Sequence, residues 1–140
     1  MKQYVFPLSG SDADNVEAKR RWVREHYEPG SEHKYDSVEG KLKLIAAIIA
    51  NNWIEPQETL KLQCLGIAFG DALAQAMGLK WAAVEDEYGR DPALVLEGTS
   101  IKVFPMTSIS KRIEAGETVD IGELFRSACN TIYRVRSEGA

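Results

Sequence analysis

Apolar residues recur at helical spacing as far as Met77, fall into short extended runs between Lys80 and Phe104, and then return to helical spacing. Val16, Val23 and Tyr27 share one face of a helix predicted from Asp12 to about Tyr27, with acids at its start, where the positive end of the helix dipole favours them. Residues 1–10 ahead of it look extended and end in a Ser-Gly turn. Pro29-Gly30 stops the helix. A second helix is predicted to open at Asp36, with Glu39 three residues on as a capping-box-like pair. Val38, Leu42, Ile45, Ile49 and Trp53 then follow at intervals of four, three, four and four, the stripe of a core-facing helix.

Pro56 suits the first turn of a third helix, where a missing N–H costs nothing, and Gly78 suits its C-terminal stop. Pro56 to Met77 spans 22 residues, about 33 Å at ~1.5 Å per residue. Leu60, Ile67, Phe69, Leu73 and Met77 make this helix apolar on more than one side, the pattern of a central, buried element. Gly66 and Gly70 lie four apart on one face, with Ala74 continuing the row. Each glycine costs a helix about 1 kcal/mol relative to alanine. Close approach of another backbone, that of the following sheet, is the expected compensation.

The runs Lys80–Glu85, Ala93–Glu97 and Ile101–Phe104 are rich in β-branched and aromatic residues. Residues 88–92 and Gly98-Thr99-Ser100 divide them. Such short connections join antiparallel neighbours, which predicts a three-stranded meander closed by Pro105. Thr107 or Ser108 caps a short helix ending at Gly116. A last helix starts at the Asp120/Glu123 pair and turns Ile121, Leu124, Phe125, Ala128 and Ile132 inward. Helices and strands are thus segregated. The expected fold class is α+β: N-terminal helices with one long central helix, a three-stranded antiparallel sheet and two C-terminal helices.

Composition narrows this little. A chain of 140 residues with 44% hydrophobic and 27% charged positions is expected to form one α+β domain over residues 1–140. Its longest strongly apolar run, Leu44 to Ala50, falls well short of the roughly 20 residues a membrane helix needs. The apolar patch at Tyr4, Val5 and Phe6 stops at Pro7, too soon for a secretory signal, so a cytoplasmic location is expected. Cys64 and Cys129 fall on helical patterns with no metal spacing and read as buried thiols. A net charge of −4 argues against nucleic acid as a partner.

Leu65-Gly66, Phe69-Gly70-Asp71, Gly78-Leu79-Lys80-Trp81 and the run from Asp86 to Asp91 resemble the bacterial domain of unknown function 3806. Phe104-Pro105 and the segment from Ser110-Lys111-Arg112 to Gly116-Glu117 extend the resemblance, which covers about residues 60–125. It implies a shared fold and a bacterial origin; among the residues read from the chain itself, Gly66, Gly70, Gly78, Trp81 and Pro105 are expected to be structural. It implies no catalytic residue, metal or cofactor.

The densest chemistry is an acidic knot. Glu85, Asp86, Glu87 and Asp91 surround Gly89 and Arg90. An EF-hand loop needs alternating acids, a glycine at the sixth position and a distant glutamate, and that pattern is absent. Adjacent strand residues point to opposite faces, so Glu85, Asp86 and Glu87 cannot all converge on one ion. The knot reads better as an acidic rim pairing with Arg90, Arg112 or a partner protein. Ser108-Ile109-Ser110-Lys111 spells S-x-x-K, but the S-D-N and K-T-G elements that accompany it in serine enzymes do not occur. His26 and His33 have no metal spacing, and no phosphate-binding glycine loop is present. Trp22 among Lys19, Arg20, Arg21 and Arg24 reads as a packing residue on an amphipathic helix.

The resulting expectation is a non-catalytic module that binds another protein, specifically an immunity or antitoxin protein whose acidic surface masks a basic effector. Two alternatives stay open: a small enzyme or a ligand- or cation-binding domain using the acidic turn, and a homodimerisation module using the Gly66/Gly70 face.

Overall fold

The computed structural model describes residues 2–138. Its elements, in order, are β1 (Tyr4–Pro7), α1 (Gly10–Arg24), a 3-10 turn (Glu32–Asp36), α2 (Val38–Ala50), α3 (Thr59–Met77), β2 (Lys80–Asp86), β3 (Gly89–Val95), β4 (Lys102–Val103), a second 3-10 turn (Pro105–Thr107), α4 (Ser108–Glu114) and α5 (Ile121–Ser137). The class is α+β, but the sheet has four antiparallel strands in the order β1-β2-β3-β4, not three. The added strand is the extended N-terminus, with Tyr4 opposite Glu85 and Phe6 opposite Ala83. Residues 4–7 carry no alternation of their own, and their partner lies about eighty positions away, so local pattern could not reveal the pairing.

The other strands also differ from the expected bounds. β2 and β3 are joined by the two-residue turn Glu87-Tyr88, and β3 begins at Gly89 rather than after Pro92. Pro92 is tolerated because β4 pairs only with Leu94 and Val95, leaving β3 open on one side at the proline. Trp81, Leu94 and Val103 form one row across the sheet.

α3 is the centre of the molecule, buried almost continuously from Leu62 to Leu73. It starts at Thr59, so Pro56 lies in the preceding turn and Leu60 is exposed. Gly78 closes it in the left-handed conformation at φ 68°. α2 presents Leu44, Ile45 and Ile48 to the core, and its cap is Ser37, whose hydroxyl accepts from the Gly40 N–H at 2.9 Å. The helix ends at Ala50, so Trp53 falls past the end of the stripe and is 53% exposed. The Asp120 carboxylate caps α5 by accepting from the Glu123 N–H at 3.1 Å. Ile121 and Ile132 are buried, and Leu124, Phe125 and Ala128 are partly so. No helix among the described residues is long and apolar enough to cross a membrane.

Candidate functional site

The β2–β3 hairpin carries every residue of the acidic knot, and the fold gives them different tasks. Arg90 lies directly across from Glu85 in the register. Its guanidinium reaches the Asp12 carboxylate in the first turn of α1, with Nη2 2.7 Å and Nε 3.0 Å from Oδ2. A longer contact of 3.5 Å joins it to Glu85, and the Phe6 ring of β1 lies 4.5 Å beneath it. Arg90 therefore ties together α1, β1 and both hairpin strands. Its hydrogen bonds hold the Asp12 carboxyl below its ordinary value. Asp86 is used locally: Oδ1 accepts the Tyr88 N–H at 2.8 Å and fixes the turn. Glu87 and Asp91 are exposed and enter no ion pair among the described residues. Arg112 donates to the Ser108 carbonyl rather than to any of these acids. At the apex Tyr88 is 82% exposed. No group of three or more His, Cys, Asp or Glu side chains among the described residues could hold a metal ion.

A second polar cluster, centred on Asp71, lies between α1, α3 and the sheet. Asp71 is the only acid in α3. Arg20 grips it from α1, with Nε 2.6 Å from Oδ2 and Nη2 2.8 Å from Oδ1. The Tyr35 hydroxyl donates to Oδ2 at 2.6 Å, and the Trp81 indole donates to Oδ1 at 2.9 Å. These four donors fill the roughly four acceptor positions of a carboxylate. Asp71 therefore has no free lone pair to take a proton from a substrate, and its chemistry is structural. Hydrogen bonding to Asp71 raises the Arg20 pKa still further, and burial raises that of Tyr35. Glu17 in α1 receives Arg20 at 2.9 Å, Arg24 through Nη2 alone at 3.2 Å and Arg21 at 3.8 Å.

Tyr35 gives this cluster a testable pH signature. An unfolded tyrosine releases its proton near pH 10, while folded Tyr35, with its raised pKa, keeps it. The stability present below pH 10 is therefore lost as pH rises above it. Tyr35→Phe removes this contribution. Chemical denaturation between pH 8.5 and 11 should show wild type losing stability faster than Tyr35→Phe, by up to about 1.4 kcal/mol per pH unit above 10. Parallel curves would mean that the hydroxyl is not held as described.

Beside Asp71 an open groove of about 500 Å³ is lined by Arg24, Lys41, Gln75, Ala74 and Leu79, among others. The Lys41 ammonium donates to Gln75 Oε1 at 2.6 Å and sits 4.9 Å from the centre of the Tyr35 ring. Gln75 in turn donates to the Asp36 carbonyl at 3.0 Å. Sequence reasoning missed these contacts, although Asp71 and Gln75 stand out as polar positions four apart in the otherwise apolar stretch of α3 from Cys64 to Met77.

The remaining sequence candidates are accounted for by packing. A Cβ on Gly70 would meet the Trp81 ring at 2.6 Å and Pro105 at 2.7 Å, and one on Gly66 would meet the Met106 carbonyl. The chain's own residues thus fill the Gly66/Gly70 face, and the close backbone is that of the second 3-10 turn rather than a strand. Ser108 donates its hydroxyl to the Pro105 carbonyl at 2.6 Å. Cys64 and Cys129 are free, and burial pushes both thiols up, away from the reactive thiolate. Trp22 meets His26 edge-on at 4.4 Å, and His26 stacks on Trp53 at 5.9 Å.

The family model described as "Domain of unknown function (DUF3806)" matches residues 41–125, a span holding Lys41, Asp71, Gln75, Trp81 and the whole hairpin, but not Arg20, Arg24 or Tyr35. Among curated proteins none matches the chain. A Bacteroides thetaiotaomicron VPI-5482 protein, whose crystal structure is at 1.50 Å resolution, is similar with a TM-score of 0.71 and 20% identity. The likeness covers 91% of this chain and 47% of that one, so this chain spans about half the length of its structural relative. At that identity the likeness is one of fold. With more than half of its length matched, this chain belongs to the DUF3806 family.

Proposed function

We propose that this protein is a non-catalytic module that binds another protein through the tip of its β2–β3 hairpin. The observation that carries the reading is Tyr88, 82% exposed at the apex of the turn. Tyrosine is enriched among the residues that dominate interface energetics, because a ring with one polar end contributes much area for little entropy. The turn beneath it is fixed by Asp86 and by the Asp12–Arg90–Glu85 contacts, so little ordering is left to cost on binding. Glu87 in the turn and Asp91 on β3 carry charge that no ion pair among the described residues consumes, and a basic partner complements them. The finer version is an immunity or antitoxin protein, acting in the cytoplasm, that masks a basic effector such as a nuclease. The net charge of −4 and the saturated Asp71 carboxylate agree with this version. A cation site or an acid–base pair at the same turn is less well supported, because Glu85 is turned onto Arg90 and Asp86 onto the Tyr88 amide.

The test is capture from cells of the source bacterium with three immobilised baits. Wild type and Arg21→Glu should retain the same partner, and Tyr88→Ser with Glu87→Lys should lose it. All three should melt alike, since exposed substitutions of this kind change stability by about 0.5 kcal/mol or less. Raising salt should weaken capture by wild type, as exposed charges are screened over roughly 8 Å at physiological ionic strength. Retention by the hairpin variant with loss from Arg21→Glu would move the interface to α1 and refute the reading.

A further inference from the structure

Lys41 breaks three ordinary preferences at once. It is 7% exposed, although lysine is almost never fully buried without a partner. It lies in the first turns of α2, at the positive end of the helix dipole. Its ammonium has no carboxylate within ion-pairing distance among the described residues; one of its three donors goes to the neutral Gln75 oxygen, and the Tyr35 ring lies 4.9 Å away. Burial pushes its pKa down, outweighing the opposite pull of the Asp71 and Asp36 charges. Of the two acids lining the groove, Asp71 is filled by Arg20, Tyr35 and Trp81. Asp36 is exposed; Gln75 binds its backbone carbonyl, while its carboxylate acts on Lys41 only through space. Arg24 lines the same groove and spends only Nη2, on Glu17 at 3.2 Å. The groove therefore offers two cations, from α1 and α2, with donors to spare. Ala74 and Leu79 supply an apolar wall beside them.

We infer that this groove binds a small organic oxyanion, a carboxylate or a phosphate. Its charged head would lie on Lys41 and Arg24 and its apolar body on Ala74 and Leu79. This site is separate from the hairpin tip and stands whether or not that tip binds a protein. Local rules broken without evident structural gain are the usual mark of a functional position. The ligand would give Lys41 the direct ion pair that Asp71 and Asp36, acting only through space, do not.

The inference is tested by titrating the full chain with acetate, benzoate, inorganic phosphate and phenyl phosphate, following backbone amide shifts by NMR. Benzoate or phenyl phosphate should give saturable shifts at Arg24, Lys41, Gln75 and Leu79 below about 20 mM, and should bind more tightly than acetate or inorganic phosphate. The tighter of the two separates a carboxylate site from a phosphate site. Lys41→Met should weaken that binding at least about tenfold, Arg24→Gln should weaken it less, and Lys43→Met, on the exposed face of α2, should leave it unchanged. Lys41→Met should also melt at or above wild type, because it removes a desolvated charge. Absence of saturable shifts with all four anions would overturn the inference, as would undiminished binding in Lys41→Met. A large fall in the melting temperature of Lys41→Met would likewise overturn it, since the lysine would then be a structural prop.

Discussion

Asp71→Ala is expected to lower the free energy of unfolding by about 3 kcal/mol, the low end of the cost of breaking a buried ion pair. Three side chains lose their acceptor together. Arg20 keeps only Glu17, and the Tyr35 hydroxyl and the Trp81 indole are left facing a cavity. An unsatisfied buried donor alone costs about 1–3 kcal/mol. The value stays near the lower limit because the Arg20 side chain is 24% exposed and retains some contact with water. Denaturant unfolding with an unchanged m-value measures it. The companion variant Arg20→Met with Asp71→Leu removes both charges while keeping volume, and should lose clearly less than Asp71→Ala. Equal losses would show that the charge of Arg20 plays no part. A loss below about 1 kcal/mol in Asp71→Ala would show that water takes the place of the carboxylate.

This cluster also marks the limit of what could be read from the sequence. Asp71 was not singled out, although an acid midway along a helix apolar on several sides must find partners. The partners were not legible, because they lie 51, 36 and 10 positions away and come from three different elements. Arg20 looked like one of several surface cations, and Trp81 like a strand aromatic. Elements whose signals are local were read well, as with the Asp120 cap and the Gly78 stop. The α2 stripe located the helix but not its face: Ile45 is buried, while Val38, Leu42 and Ile49 are only partly so and Leu44 and Ile48 take the core positions. Extending that stripe to Trp53 failed because periodicity persists in sequence after the backbone has left the helix at Asn51.

The hairpin shows the same division. Clustering of its acids was visible, and so was the rule that neighbouring strand residues diverge. Their separate tasks depended on contacts from outside the hairpin: Asp12 from α1 and Phe6 from the unforeseen β1. Once β1 and α1 hold Arg90, the tip extends from a fixed base, which turns a cluster of charges into a presented surface. Lys41 illustrates the reverse case. In sequence it is an unremarkable charge near the start of a helix, and only burial reveals its missing counterion.

Gly66→Ala is expected to destabilise the protein by about 2 kcal/mol, against the usual direction of such a change. In an open helix the same substitution stabilises by about 1 kcal/mol. Here the new methyl group would be driven into the Met106 carbonyl and the backbone carbons beside it. That backbone belongs to the 3-10 turn Pro105–Thr107, whose Pro105 is buried and whose carbonyl accepts from Ser108, so it cannot swing aside as a flexible side chain would. Gly70→Val should cost more still, since it meets the Trp81 ring, itself anchored by its N–H on Asp71. Gly122→Ala on α5 supplies the internal reference, because its nearest side-chain atoms lie at 3.6 Å. It should stabilise by about 0.5 kcal/mol, reduced from the full helical gain by its place in the first turn. If Gly66→Ala instead follows Gly122→Ala and raises stability, the 3-10 turn has room to yield, and tight seating of α3 on Met106 is not what keeps glycine at this position.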